Sequence, residues 1–102
     1  MPRGLGLPAL RVLQAIASGV EYGFDICAST GLASGTVYPA LSRHERDGFV
    51  RSAWEDPVRA HQQRRPPRRY YRLTAEGRRA INRALADLGV APGRARPARA
   101  RG

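Results

Sequence analysis

Residues 34–54 read SGTVYPALSRHERDGFVRSAW, and a change of period inside this stretch decides the fold. Up to Gly48 the apolar positions recur at three and four residues. Turning a helix by about 100° per residue puts Val37, Ala40, Leu41 and His44 on the inner side. Thr36, Pro39, Ser42, Arg43 and Arg46 are left outside, with Tyr38 at the flank. Ser34 reads as the N-cap and Gly48 as the stop, which predicts a helix over about 35–47. Pro39 is assigned to the first turns, where a missing N–H costs least. Beyond Gly48 the period shortens to two, so Phe49 to Trp54 reads as a strand with Val50 and Trp54 on one face.

The partner of that strand is Arg69 to Leu73, where Tyr71 and Leu73 share a face. The connection from Glu55 to Arg68 is polar and holds Pro57, Pro66 and Pro67, so it is expected to be extended or mobile. Thr74 caps a final helix from about Ala75 to Leu88, with Glu76 favourable in its first turn and Ile81, Ala84, Leu85 and Leu88 as its apolar stripe. Upstream, Pro8 opens a helix whose inner residues are Leu10, Leu13, Ile16 and Ala17, stopped by Gly19. A short helix over about 22–30 follows, with Phe24, Ile26 and Cys27 as its apolar candidates and Gly31 as its end. Helix, helix, helix, strand, basic loop, strand, helix is the order of a winged helix-turn-helix. The fold class is mainly α with a two-stranded β wing (α+β). Residues 1–88 form the winged helix domain, with a dimerisation helix at about 74–88, and the Arg-rich segment 89–102 is expected to be disordered.

Length and composition agree with one small domain. The 102 residues leave no room for a second core, and a chain of this size buries so little surface that oligomerisation is expected. The 18 basic residues are all arginine and face 8 acidic ones, for a net charge of +10. That surplus points to a polyanion partner. One cysteine, Cys27, excludes an intramolecular disulfide and a Cys-based metal site and indicates a reducing compartment, the cytoplasm. Arg11 and Gln14 interrupt the first apolar stretch, so it is neither a signal peptide nor a membrane span.

The helix after Ser34 is the candidate reader of DNA. A helix in the major groove presents its N-terminal side chains to base edges, and its N-terminus attracts phosphate. Ser34 and Thr36 can donate to bases or phosphates, Tyr38 offers a hydroxyl, and Arg43 can pair with guanine or the backbone. Arg64, Arg65, Arg68, Arg69 and Arg72 crowd nine residues with no Asp or Glu among them, as a wing lying on phosphates or entering a narrow minor groove requires. No enzyme signature is present. Of the two histidines, His61 falls in the wing and His44 on an apolar helix face, where it is expected to be packed and hydrogen-bonded. Cys27 reads as a small buried apolar group, and Trp54 and Tyr71 as core or edge packing. No cofactor or metal is expected.

Four segments resemble the PadR-type transcriptional regulators over roughly residues 7–88. Tyr22-Gly23-Phe24-Asp25-Ile26 is similar to their HGYEI stretch, and Gly35-Thr36-Val37-Tyr38-Pro39-Ala40-Leu41 to their GTLYPLL helix. Asp47-Gly48-Phe49-Val50 and Arg68 to Gly77 resemble their EGLI/V and RRYYRLTEEG segments. The resemblance implies a homodimer built with the C-terminal helix through Ile81, Leu85 and Leu88, and repression at palindromic operators. It places Ser34, Gly35, Thr36, Tyr38, Pro39, Arg43 and the wing arginines toward double-stranded DNA. Three departures stand out: His44 where the family has leucine, Arg64-Arg65-Pro66-Pro67 in place of a Gly-Arg-Pro tip, and a last helix without aromatics. The last leaves a small-molecule inducer unsupported. The alternative is a winged-helix excisionase or architectural protein of a phage or mobile element. A third reading is a basic RNA-binding module resting on Arg94, Arg96, Arg99 and Arg101.

Overall fold

A computed structural model describes residues 5–89. The chain runs α1 (Leu7–Ala17), α2 (Gly23–Thr30), α3 (Ser34–Arg46), β1 (Val50–Trp54), α4 (Pro57–Gln62), β2 (Arg69–Leu73) and α5 (Ala75–Asp87). All but α4 match the expected order. The assigned tail lies outside the described residues except for Gly89.

α1 is the central helix and packs against α2, α3, α5 and β2. It therefore buries more than one stripe: Ala9, Leu10, Val12, Leu13, Ala15 and Ile16 are all inside, while Ala17, expected inside, is exposed. Gly19 turns the chain at φ 103°, which a side chain would resist. α2 is short and buries only Gly23, Ile26 and Thr30; Phe24, expected to pack, is 78% exposed. Gly31 closes α2 in the left-handed region. Arg11 crosses to the Thr30 carbonyl at 2.5 Å and fixes α1 on the end of α2.

β1 and β2 pair antiparallel, with Val50 opposite Leu73 and Trp54 opposite Arg69. The sheet gains a rung that sequence reading did not anticipate. Tyr71 N–H donates to the Glu21 carbonyl at 2.9 Å, and Tyr22 bridges to Tyr70. Val50 and Tyr71 are buried in the main core, but Trp54, at the far end of its strand, is 64% exposed rather than packed. Thr74 caps α5 as expected, accepting from Gly77 N–H at 3.0 Å and donating to the Gly48 carbonyl at 2.6 Å. Gly77 is required by closeness: a Cβ there would collide with the Phe49 carbonyl oxygen and lie 2.7 Å from Leu73 Cδ1.

His44 has no solvent exposure. Its Nε2 lies 3.0 Å from the Ala9 carbonyl, so the neutral ring donates there and Nδ1 is left as a buried acceptor without a partner. Burial pushes the imidazole below its ordinary value of 6.5, Arg43 adds to the fall, and the Ala9 carbonyl and Asp47 oppose it.

The connection Glu55–Arg68 is not an extended loop. Asp56 accepts from Val58 N–H at 2.9 Å, Pro57 supplies a preset first-turn φ, and α4 follows with Ala60 fully buried. No helix among the described residues is long and apolar enough to cross a membrane.

Candidate nucleic-acid interface

α3 presents the residues expected to read DNA. Burial of Val37, Ala40, Leu41 and His44 leaves Ser34, Gly35, Thr36, Tyr38, Pro39 and Arg43 exposed. Two local details differ from the expectation. Ala33, not Ser34, is the N-cap, and it makes no side-chain cap, so the Ser34 hydroxyl is free to act outward. Pro39 lies inside the helix rather than in its first turn. It takes away the donor that would have reached Gly35, leaving the Gly35 carbonyl without its helical partner on an exposed turn. Tyr38 lies across the start of α2. A Cβ on Gly23 would be 2.7 Å from the ring Cζ and the hydroxyl oxygen, so only glycine lets the ring seat there. The seat leaves Tyr38 45% exposed.

α3 is tied to the wing by Glu45. Ser52 donates to Glu45 Oε2 at 2.6 Å, and Arg69 Nη2 reaches Oε1 at 3.2 Å while its Nε donates to Ser52 at 3.0 Å. These bonds join α3, β1 and β2, so the reading helix and the wing keep a set relative angle.

The wing arginines do not form the acid-free patch expected from sequence. Arg65 forks onto Glu55, with Nη2 at 2.7 Å from Oε2, and only 23% of its side chain is exposed. Arg68 gives its backbone N–H to the same carboxylate at 3.2 Å and stacks its guanidinium 3.9 Å from the centre of the Tyr22 ring. Arg69 pairs with Glu45 and Arg72 with Glu21 at 3.6 Å, and these two lie over Trp54 and Tyr70. The acids sit outside the run itself, at sequence separations that local reading does not reach. Glu55, only 7% exposed, is held at about 2 by the Arg65 side chain first, then by the Arg68 N–H, against the cost of its burial. Arg64 stands apart. Alone among these five it is exposed without an ion-pair partner among the described residues, a state that Arg51 of β1 and Arg59 of α4 share.

Glu55, Asp56 and α4 are the elements sequence reading missed. Asp followed by Pro, with Ala60 three residues on, is a helix-start signal, and it was outweighed by the three prolines of the segment.

The α5 residues expected at a dimer divide in three. Ile81 is 7% exposed and belongs to the protomer core. Leu85 is half-buried, and Leu88 is 61% exposed. Leu85 lines a shallow groove with Gln14, Ala17 and Ser18 of α1 and Arg78, Ile81 and Asn82 of α5.

A family model described as the transcriptional regulator PadR-like family matches residues 12–83. The chain belongs to that family. Its members are DNA-binding transcription regulators, not enzymes. A PadR family regulator from Clostridium difficile R20291 superposes with a TM-score of 0.71 at 22% identity, covering 82% of this chain and 88% of that one. A PadR-like transcription factor from Bacteroides fragilis gives 0.68 at 23% identity, with 79% of each chain covered. The PcaV regulator of Streptomyces coelicolor, solved with its natural ligand, gives 0.70 at 24% identity; 85% of this chain covers 57% of that one. At these identities the likeness is one of fold. No curated protein matches the chain significantly.

Proposed function

We propose that this PadR-like chain is a dimeric, sequence-specific double-stranded DNA-binding regulator that acts as a repressor. α3 enters the major groove, and the wing lies on the flanking backbone and minor groove. The observation that carries the reading is the division of α3: one side is spent on the core, and the other offers Ser34, Thr36, Tyr38, Pro39 and Arg43 in succession from the N-terminal turn. Glu45 holds that helix to the wing, so base contacts and backbone contacts are made in one register. Regulation is preferred to an architectural role because the matching family model is one of transcriptional regulators. Two-fold pairing through Leu85, Leu88 and the adjoining groove of α1 would present two α3 helices to a palindrome. PcaV has a natural ligand, but α5 here carries no aromatic ring on which a planar inducer could stack, so no ligand is assigned.

Thr36→Ala, Tyr38→Ala and Arg43→Ala should each weaken binding to the preferred duplex by about 1–3 kcal/mol where a base contact is lost, and change binding to random duplex less. Fluorescence-anisotropy titrations against both duplexes measure this. Specificity surviving all three substitutions would remove α3 as the reader.

A further inference from the structure

We propose that Glu55 is the positioning residue of the wing, and that by holding Arg65 down it leaves Arg64, in the turn after α4, as the arginine that this turn presents to DNA. The assignment deepens the DNA-binding reading and rests on it.

The wing carries five arginines over residues 64–72, and the structure uses them differently. Arg65, Arg68, Arg69 and Arg72 are each matched to a carboxylate, and three of them are also laid against an aromatic ring. The holds differ in kind: Arg68 and Arg72 stand 3.7 and 3.6 Å from their carboxylates and keep their N–H donors, whereas Arg65 and Arg69 are hydrogen-bonded to theirs. Arg65 is the extreme case, because both its terminal nitrogens are on Glu55 and its side chain is mostly covered.

Glu55 also closes the segment that carries α4. Its N–H donates to the Arg68 carbonyl at 2.7 Å, and its carboxylate takes the Arg68 N–H at 3.2 Å. The two ends of a 14-residue connection, Glu55 and Arg68, are therefore pinned by one residue.

Arg64 sits in the turn that ends α4. Its N–H donates to the His61 carbonyl at 2.9 Å, and the next N–H, from Arg65, reaches back to Ala60 at 3.2 Å. This is the pair of bonds of a Schellman helix ending, whose residue after the cap is left-handed and is most often glycine. Arg64 occupies it with φ 59°, the only non-glycine among the described residues at positive φ. The turn itself favours glycine there, so an exposed cation without an ion-pair partner at this position points to a role outside the turn, for which a polyanion is the fitting partner.

The test compares Arg64→Gly, Arg65→Ala and Glu55→Gln in the full chain, using a duplex enriched from a random pool and the unenriched pool, across a salt series. Arg64→Gly suits the turn, so its thermal midpoint should hold or rise. Its log–log salt slope should nevertheless flatten by about 0.9 for each chain bound, one phosphate contact. Arg65→Ala should lower the thermal midpoint and leave the slope unchanged. Glu55→Gln frees Arg65, so it should raise affinity for the random pool and reduce the ratio of enriched to random binding. An unchanged slope in Arg64→Gly, or a slope loss in Arg65→Ala equal to one contact, overturns the assignment. If Arg43→Ala still abolishes preference for the enriched duplex in that case, the proposed function survives without it. A wild-type chain that does not prefer the enriched duplex overturns both.

Discussion

At the scale of single residues, the period of α3 was enough to place His44 inside, but not to show what burial does to it. The ring donates to Ala9 from one nitrogen and has nothing for the other, so protonation must put a charge and a second donor into the core. Its basicity is below 6.5 in the folded chain, while an unfolded chain binds the proton at about that value. Stability contributed by the neutral ring is thus complete above 6.5 and is lost as the pH falls from there through the folded value. The stability that ionised Glu55 contributes is present above its ordinary 4.5 and is lost as the pH falls toward about 2. The thermal midpoint should fall as pH drops from 7 to 5, and His44→Leu should flatten that dependence. An equal slope in wild type and variant would show that His44 is not the group responsible. Arg64 marks the opposite limit of sequence reading. The replacement of glycine by arginine at the tip was visible, but its left-handed conformation depends on α4, which was not.

At the scale of elements, the two expected caps part company: Thr74 caps α5, whereas Ser34 lies inside α3 and Ala33 precedes it. Thr74 was read correctly because cap and first turn are adjacent in sequence. The same hydroxyl also takes hold of the Gly48 carbonyl, which no local pattern announces. Thr74→Ala should therefore destabilise the fold by about 1–2 kcal/mol, at the upper part of the range for a lost cap, and Thr74→Ser should restore most of it. For a domain of this size the loss is a fall of roughly 4–8 °C in thermal midpoint per kcal/mol, readable by calorimetry. A change below 1 °C in the alanine variant would mean that neither bond matters. α4 went unseen because Pro57, Pro66 and Pro67 together suggested an extended chain, although Asp56-Pro57 is itself a start signal. The ion pairs that organise the wing span 10 residues for Glu55 with Arg65 and 24 for Glu45 with Arg69, and each joins separate segments, which the period of a single helix or strand does not report.

At the scale of the whole molecule, a basic chain of 102 residues with a PadR-like fold divides its surface by charge and by apolarity. α3 and the turn after α4 carry Arg43 and Arg64, exposed and without ion-pair partners among the described residues, while the end of α5 carries exposed leucine. The helix period puts Ile81, Leu85 and Leu88 on one stripe, and within the protomer Ile81 is already part of the core cluster. The two roles separate by mutation. Leu85→Arg with Leu88→Arg should convert a micromolar dimer to a folded monomer in sedimentation, whereas Ile81→Ala should cost about 2–5 kcal/mol of stability in the protomer itself. A double-arginine variant that still sediments as a dimer would place the interface elsewhere. The most direct test of sequence-specific, two-fold DNA recognition is selection of bound duplex from a random pool by the full-length chain at fixed salt, followed by sequencing. The account predicts enrichment of a palindrome whose half-sites lie about one helical turn apart, 10–10.5 base pairs centre to centre or a multiple of it. Recovery of unrelated sequences with no shared element, or of a single unrepeated half-site, would contradict it.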